Sequence, residues 1–80
     1  MKPEDAYKLI CKDFGFRPYV KLCKDFGDFY AFFLTRKKDD ELVGGRMTAV
    51  NKSTKKIFEY NLMDSRYDYS KAKTIPFNGD

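Results

Sequence analysis

Six consecutive apolar or aromatic residues, Phe29-Tyr30-Ala31-Phe32-Phe33-Leu34, stand out in a chain where charge otherwise recurs every few positions. The run is far short of the roughly 20 apolar residues that cross a bilayer. Its Phe and Tyr content favours a strand over a helix. It predicts a central β-strand over 29–36 that is apolar on both faces. Phe29, Ala31 and Phe33 share one side, and Tyr30, Phe32 and Leu34 share the other. A single helix can cover only one of these sets, so the other needs the C-terminal tail or a partner.

The remaining pattern is arranged around that strand. Ala6, Leu9, Ile10, Cys11 and Phe14 recur at helical spacing and predict a helix over 3–14. Pro3 suits its first turn, Glu4 and Asp5 complement the positive end of its dipole, and Gly15 supplies a left-handed stop. Residues 18–27 satisfy two templates. Tyr19, Leu22, Cys23 and Phe26 fit one side of a helix, whereas Val20 and Leu22 alternate with Lys21 and Lys24 as in a strand. The turn-forming Asp25-Phe26-Gly27-Asp28 favours a strand over 19–25, hairpinned to the aromatic one. The pentapeptide Cys-Lys-Asp-Phe-Gly then occurs in two conformations, at 11–15 and 23–27.

Lys37-Lys38-Asp39-Asp40-Glu41 reads as a polar connection, and Gly44-Gly45 lets the chain return into a third strand over 46–51. Lys52-Ser53-Thr54-Lys55 forms a turn in which Asn51 or Ser53 can bond nearby amides. A fourth strand over 56–62 alternates strictly: Phe58, Tyr60 and Leu62 on one face, Glu59 and Asn61 on the other. The tail, 63–80, holds a weak helical signal over 63–69. Ile75-Pro76-Phe77 is expected to clip it to the core, and 78–80 to fray. The predicted fold is α+β, one N-terminal helix packed on a four-stranded antiparallel β-meander, in a single domain.

Composition sharpens this picture. At 80 residues the chain buries only about 60–65% of its unfolded surface, so its eight Phe and six Tyr must carry the core. With no signal peptide or membrane span, the expected location is cytoplasmic. The formal charge of +4, with sixteen Lys and Arg against twelve Asp and Glu, draws the chain weakly toward acidic partners. Histidine is absent, which removes the commonest general base and metal ligand together. Ser53, Ser65 and Ser70 therefore lack an activating imidazole. Cys11 and Cys23 form no Cys-x-x-Cys pair and read as reduced thiols. Neither Asp25 with Asp28 nor Asp39-Asp40-Glu41 matches calcium-loop spacing. No enzyme activity and no cofactor are expected.

The segment from Gly27-Asp28-Phe29-Tyr30-Ala31-Phe32 through Gly44-Gly45, Met47-Thr48-Ala49-Val50-Asn51-Lys52 and Asn61-Leu62-Met63-Asp64 resembles small stand-alone α+β proteins of Gram-positive bacteria and their phages. These are similar to some small immunity proteins. The resemblance covers about residues 5–77, implies the meander and a bacterial or phage origin, and brings no catalytic residue. Where such proteins carry a hairpin glycine, this chain has Lys55, so either Lys55 is left-handed or the turn differs.

Two binding surfaces follow. The first expectation is a protein-binding module, an inhibitor or immunity-type protein of a phage or mobile element. It would block a host or competitor protein through Tyr30, Tyr60, Arg66, Tyr67 and Tyr69, because Tyr and Arg concentrate binding energy. The alternative is a nucleic-acid surface formed by Arg36, Lys37, Arg46, Lys52, Lys55 and Lys56 around the 46–56 hairpin. No membrane partner is expected.

Overall fold

The computed structural model describes residues 1–40, 46–61 and 71–77. Helix α1 spans Pro3–Phe14, followed by β1 (Tyr19–Asp25), β2 (Phe29–Thr35), β3 (Arg46–Asn51), β4 (Ile57–Asn61) and β5 (Lys73–Ile75). The α+β expectation holds, but the described sheet has five strands, in the order β4-β3-β2-β1-β5. The addition is β5, which pairs antiparallel with β1 through Cys23↔Ile75, Lys24↔Thr74 and Asp25↔Lys73. Two strand ends also move. Strand β2 stops one residue before Arg36. Lys56 lies outside β4, its carbonyl closing the hairpin by accepting the Asn51 amide at 2.9 Å. The helical signal at 63–69, the fraying expected at 78–80 and Leu62 fall outside the described residues.

Sequence accounts for the ends of α1. Pro3 opens the helix, and the Asp5 carboxylate in its first turn accepts the Lys2 amide at 3.2 Å. Gly15 closes it at φ +80°, donating its amide to Cys11 O at 3.0 Å, a conformation that a Cβ would penalise. Ala6, Tyr7 and Ile10 lie on the buried side of the helix and meet Val20, Cys23, Tyr30, Phe32 and Val50 on the sheet. Ile75 and Phe77 join this layer. The Phe77 ring meets Tyr7 at 5.4 Å and Phe32 at 5.7 Å, edge to face in both cases, so the tail is clipped to the core as expected.

The opposite face of the sheet is buried as well. Phe29, Ala31, Phe33, Met47, Ala49 and Tyr60 form a second core layer, with Leu22, Phe26 and Phe58 at its margin. Phe26 stacks on Phe29 at 4.7 Å, and Phe58 meets Phe29 edge-on at 5.1 Å. Strand β2 is thus doubly buried, and its even and odd residues divide between the two layers as its alternation requires. Among the described residues, then, both faces of β2 are buried.

Strand β1 shows why its sequence satisfied two templates. Its register with β2 runs Val20↔Leu34 and then Leu22↔Phe33, leaving Lys21 as an extra residue. This β-bulge reverses the phase of the strand, so Val20 faces α1, Leu22 faces the second layer, and Cys23 faces α1 again. A pattern broken in mid-strand resembles a helical one over seven residues. No helix among the described residues is long and apolar enough to cross a membrane.

Candidate anion-binding cleft

The basic residues expected to act as one surface stand at opposite ends of the sheet. Strand β2 runs seven residues, roughly 20 Å, from the turn at Asp25–Asp28 to Thr35. Lys52, Lys55 and Lys56 belong to the first end, and Arg36 and Lys37 to the second.

The hairpin end is built on a tight turn to which the Lys52 ammonium is committed. Asn51 Oδ1 accepts the amides of Ser53 at 2.8 Å and Thr54 at 2.9 Å, and the Lys55 amide returns to Asn51 O at 2.9 Å. The tight loop forces Lys55 to φ +62°, which settles the alternative left by the missing glycine. Lys52 Nζ lies 2.7 Å from Asp25 Oδ1 and 4.5 Å from the centre of the Tyr30 ring. Its charge is therefore spent on joining two turns. A cleft of about 370 Å³ is lined here by Met1, Asp5, Lys8, Leu9, Lys52 and Lys55. Asp5 places a carboxylate within it.

The Thr35 end is different. After Gly15 the chain turns through Phe16, Arg17 and Pro18 into β1, and Tyr7 fixes that path by donating its hydroxyl to Pro18 O at 2.6 Å. Burial raises the Tyr7 phenol above its ordinary pKa, with Cys11 acting in the same direction and Arg17 against it. After Thr35 the chain turns the other way. Thr35 Oγ1 donates to Lys37 O at 2.7 Å, and the Lys37 amide donates to Asp40 Oδ2 at 3.0 Å. The Lys21 ammonium donates to Lys38 O, tying the bulge to this turn.

Between the two connections lies a cleft of about 380 Å³ with Tyr7, Pro18 and Tyr19 in its wall. Its other lining residues are Arg17, Arg36, Lys37 and Lys38, four cations and no carboxylate. Exposed aromatic rings adjoin it. Phe14 and Phe16 are 38% and 42% exposed, their rings 5.8 Å apart, and the Arg36 guanidinium sits 5.6 Å over Phe16. Cations from two connections, with accessible rings beside them, can hold an anion and stack a planar group.

The expected site residues separate accordingly. Tyr30 and Tyr60 are core residues, 6% and 1% exposed, and cannot serve as docking anchors. Strand parity gives the physical reason, since each points into one of the two buried layers. Arg66, Tyr67 and Tyr69 lie outside the described residues. Arg46 Nε pairs with Glu59 Oε1 at 3.3 Å on the open surface. Arg36 and Lys37 do come together, and with them Arg17, Lys21, Phe14 and Phe16, none of which the sequence pattern marks as a site residue. The signal was present: once β1 is hairpinned to β2 with Tyr19 opposite Thr35, residues 14–18 and 36–38 must meet at one end.

Among the described residues no group of three or more Cys, Asp or Glu gathers as a metal site. Comparison with protein-family models, with curated proteins and with solved structures finds no match.

Proposed function

We propose that this chain is a small non-enzymatic binding protein for single-stranded nucleic acid, working through the cleft at the Thr35 end of its sheet. The observation that carries this reading is the joining of Arg17, Arg36, Lys37 and Lys38 around one cleft, with no Asp or Glu among its lining residues, beside the exposed Phe14 and Phe16. Single-strand binders combine a cationic groove for the backbone with accessible rings on which bases stack. Both parts are contiguous here.

Four cations contacting phosphates predict a slope of log affinity against log salt of about −3, or roughly a 50-fold loss between 50 and 200 mM salt. The test is fluorescence anisotropy with a labelled twelve-nucleotide oligouridine and oligothymidine. Arg36→Ala and Lys37→Ala should weaken binding and flatten the salt slope by about one unit each. Phe16→Ala should weaken binding without changing the slope. Lys56→Ala, at the far end of the sheet, should change neither. Equal losses from Lys56 and Arg36 would return the site to the hairpin.

A second reading is the inhibitor or immunity-type module that occludes a partner protein. Exposed Phe beside Arg favours it too, since such residues concentrate energy in protein interfaces. It prevails if the oligonucleotides do not bind while an acidic protein binds stoichiometrically and loses affinity with Phe14→Ala or Phe16→Ala.

A further inference from the structure

The basic residues of the Thr35 end come from two connections around one cleft, and that arrangement bears on which phosphate they receive. A surface that tracks the middle of a strand spreads its charges along the path of the backbone. Here Arg17 approaches from the connection after α1, and Arg36, Lys37 and Lys38 from the turn after β2, all around one cleft of about 380 Å³. The track does not continue. Beyond Lys38 come Asp39 and Asp40, and the Asp40 carboxylate accepts the amide of the lining residue Lys37 at 3.0 Å. A diester backbone running past Lys38 would meet these carboxylates. On the other side Phe16 lies under the Arg36 guanidinium at 5.6 Å, so a base stacked against this pair would lie next to the cleft.

We infer that the cleft receives a terminal phosphomonoester of the strand rather than an internal diester, with the adjoining base on Phe16. The inference rests on the single-strand reading above and specifies its ligand. A monoester carries a charge of about −1.5 to −2 at neutral pH, with its second ionisation near 6, whereas a diester carries −1. A cleft lined by four cations rewards the extra charge. The charged groups facing it are Arg17, Arg36, Lys37 and Lys38, with the Asp40 carboxylate on the Lys37 amide.

The experiment compares the twelve-nucleotide oligouridine in three forms, 5′-hydroxyl, 5′-phosphate and 3′-phosphate, and adds uridine monophosphate as a competitor against the phosphorylated forms. One phosphorylated form should bind about tenfold more tightly than the hydroxyl form, and the monophosphate should displace it. The advantage should fade between about pH 7 and about pH 5. The chain has no histidine, so a change in that window reports the ligand's own ionisation. Arg17→Ala and Arg36→Ala, checked by thermal melts, should shrink the tenfold difference toward unity; Lys56→Ala should leave it. Equal binding of all forms would overturn the terminal-phosphate inference and leave the single-strand reading standing. Failure of every form to bind would overturn both.

Discussion

Lys52 and Asp25, 27 residues apart in sequence, meet at 2.7 Å and lock the β1–β2 turn to the β3–β4 hairpin. The side chains are 24% and 28% exposed, and the same Asp25 oxygen accepts the Gly27 amide at 2.8 Å. A backbone bond from Lys52 N to Asp28 O, 2.9 Å, runs beside the ion pair. Burial pushes the Asp25 carboxyl up, but the hydrogen bonds from Lys52 and Gly27 and the charges of Lys52 and Lys73 outweigh it and hold the group below the ordinary carboxylate range.

The pH dependence of stability follows from that direction. A lowered folded pKa means the bridge contributes fully above the unfolded carboxyl value of about 3.9, and its contribution is lost as pH falls through the folded value. Asp25→Asn keeps an oxygen for Gly27 and removes the charge. Combined with Lys52→Met in a double-mutant cycle, it should show a coupling of about 1 kcal/mol at neutral pH, since water reaches one side of the pair. The coupling should shrink as pH falls through the lowered folded value. Urea midpoints at neutral and acid pH provide the check, and a coupling undiminished by protonation would show that charge is not its source.

Lys55 offers a gain in stability. Its φ of +62° costs a residue with a Cβ roughly 1–2 kcal/mol, part of which a glycine recovers against its own unfolded-state entropy. Lys55→Gly should therefore stabilise by about 0.5–1 kcal/mol, raising Tm by some 2–8 °C in a chain of this size. Lys55→Ala keeps the Cβ and should stay within about 0.5 kcal/mol of the parent. If alanine gained as much as glycine, the effect would lie in the charge of the loop and not in its backbone.

What the sequence made legible was decided by local chemistry. The bounds of α1 could be placed because Pro3 and Gly15 act on their immediate neighbours. Double burial of β2 could be inferred because six apolar residues in a strand must face both ways. Strand β5 escaped notice because Lys73-Thr74-Ile75 has no pattern of its own and exists by pairing with Cys23–Asp25, some 50 positions earlier. The bulge at Lys21 was hidden for a related reason. One inserted residue reverses strand parity without any turn signal, and the resulting pattern invited a helix.

The candidate site was harder to see because charge has no period. Tyr30 and Tyr60 looked usable as anchors only while parity was set aside, and Lys52 looked available only while Asp25 was unplaced. The cleft draws on Arg17 and on residues 36–38, which the register Tyr19↔Thr35 brings to one end. Its residues are basic and aromatic for reasons the core does not supply. Phe14 and Phe16 are exposed while the core aromatics are buried or half-buried.

That contrast is itself testable. Phe32 has no exposed surface, touches Phe77 at 5.7 Å and lies in the layer beneath α1. Phe32→Ala should cost about 3–5 kcal/mol, a large share of the roughly 4–12 kcal/mol available to 80 residues. Phe32→Asp should leave the chain unfolded, because a carboxylate there would lose its hydration at a fully buried position in an apolar layer. Phe16→Ala should cost no more than about 0.5 kcal/mol. Chemical denaturation of the three variants measures this directly. A Phe16 variant as damaged as Phe32→Ala would place that ring in the core and remove it from the binding surface.

The two cysteines should differ in reactivity by an amount that reports the helix-side layer. Cys23 is 1% exposed, and burial, with smaller effects from Asp25 and Glu4, pushes its thiol up to about 12. Thiolate is the reactive species, so Cys23 should be inert to a thiol reagent at about pH 8 as long as α1 covers it. Cys11 is half-buried at the edge of the same layer. The native protein should therefore titrate with one accessible thiol, the second appearing only with unfolding in urea, and Cys11→Ser should abolish the native signal. Because the folded Cys23 pKa is raised, stability should also decline as pH rises above the unfolded thiol value, near 8.5. Cys23→Ala should flatten that decline. Rapid native labelling of Cys23 in the Cys11→Ser variant would mean that α1 lifts from the sheet far more often than a packed layer of Ala6, Tyr7 and Ile10 permits.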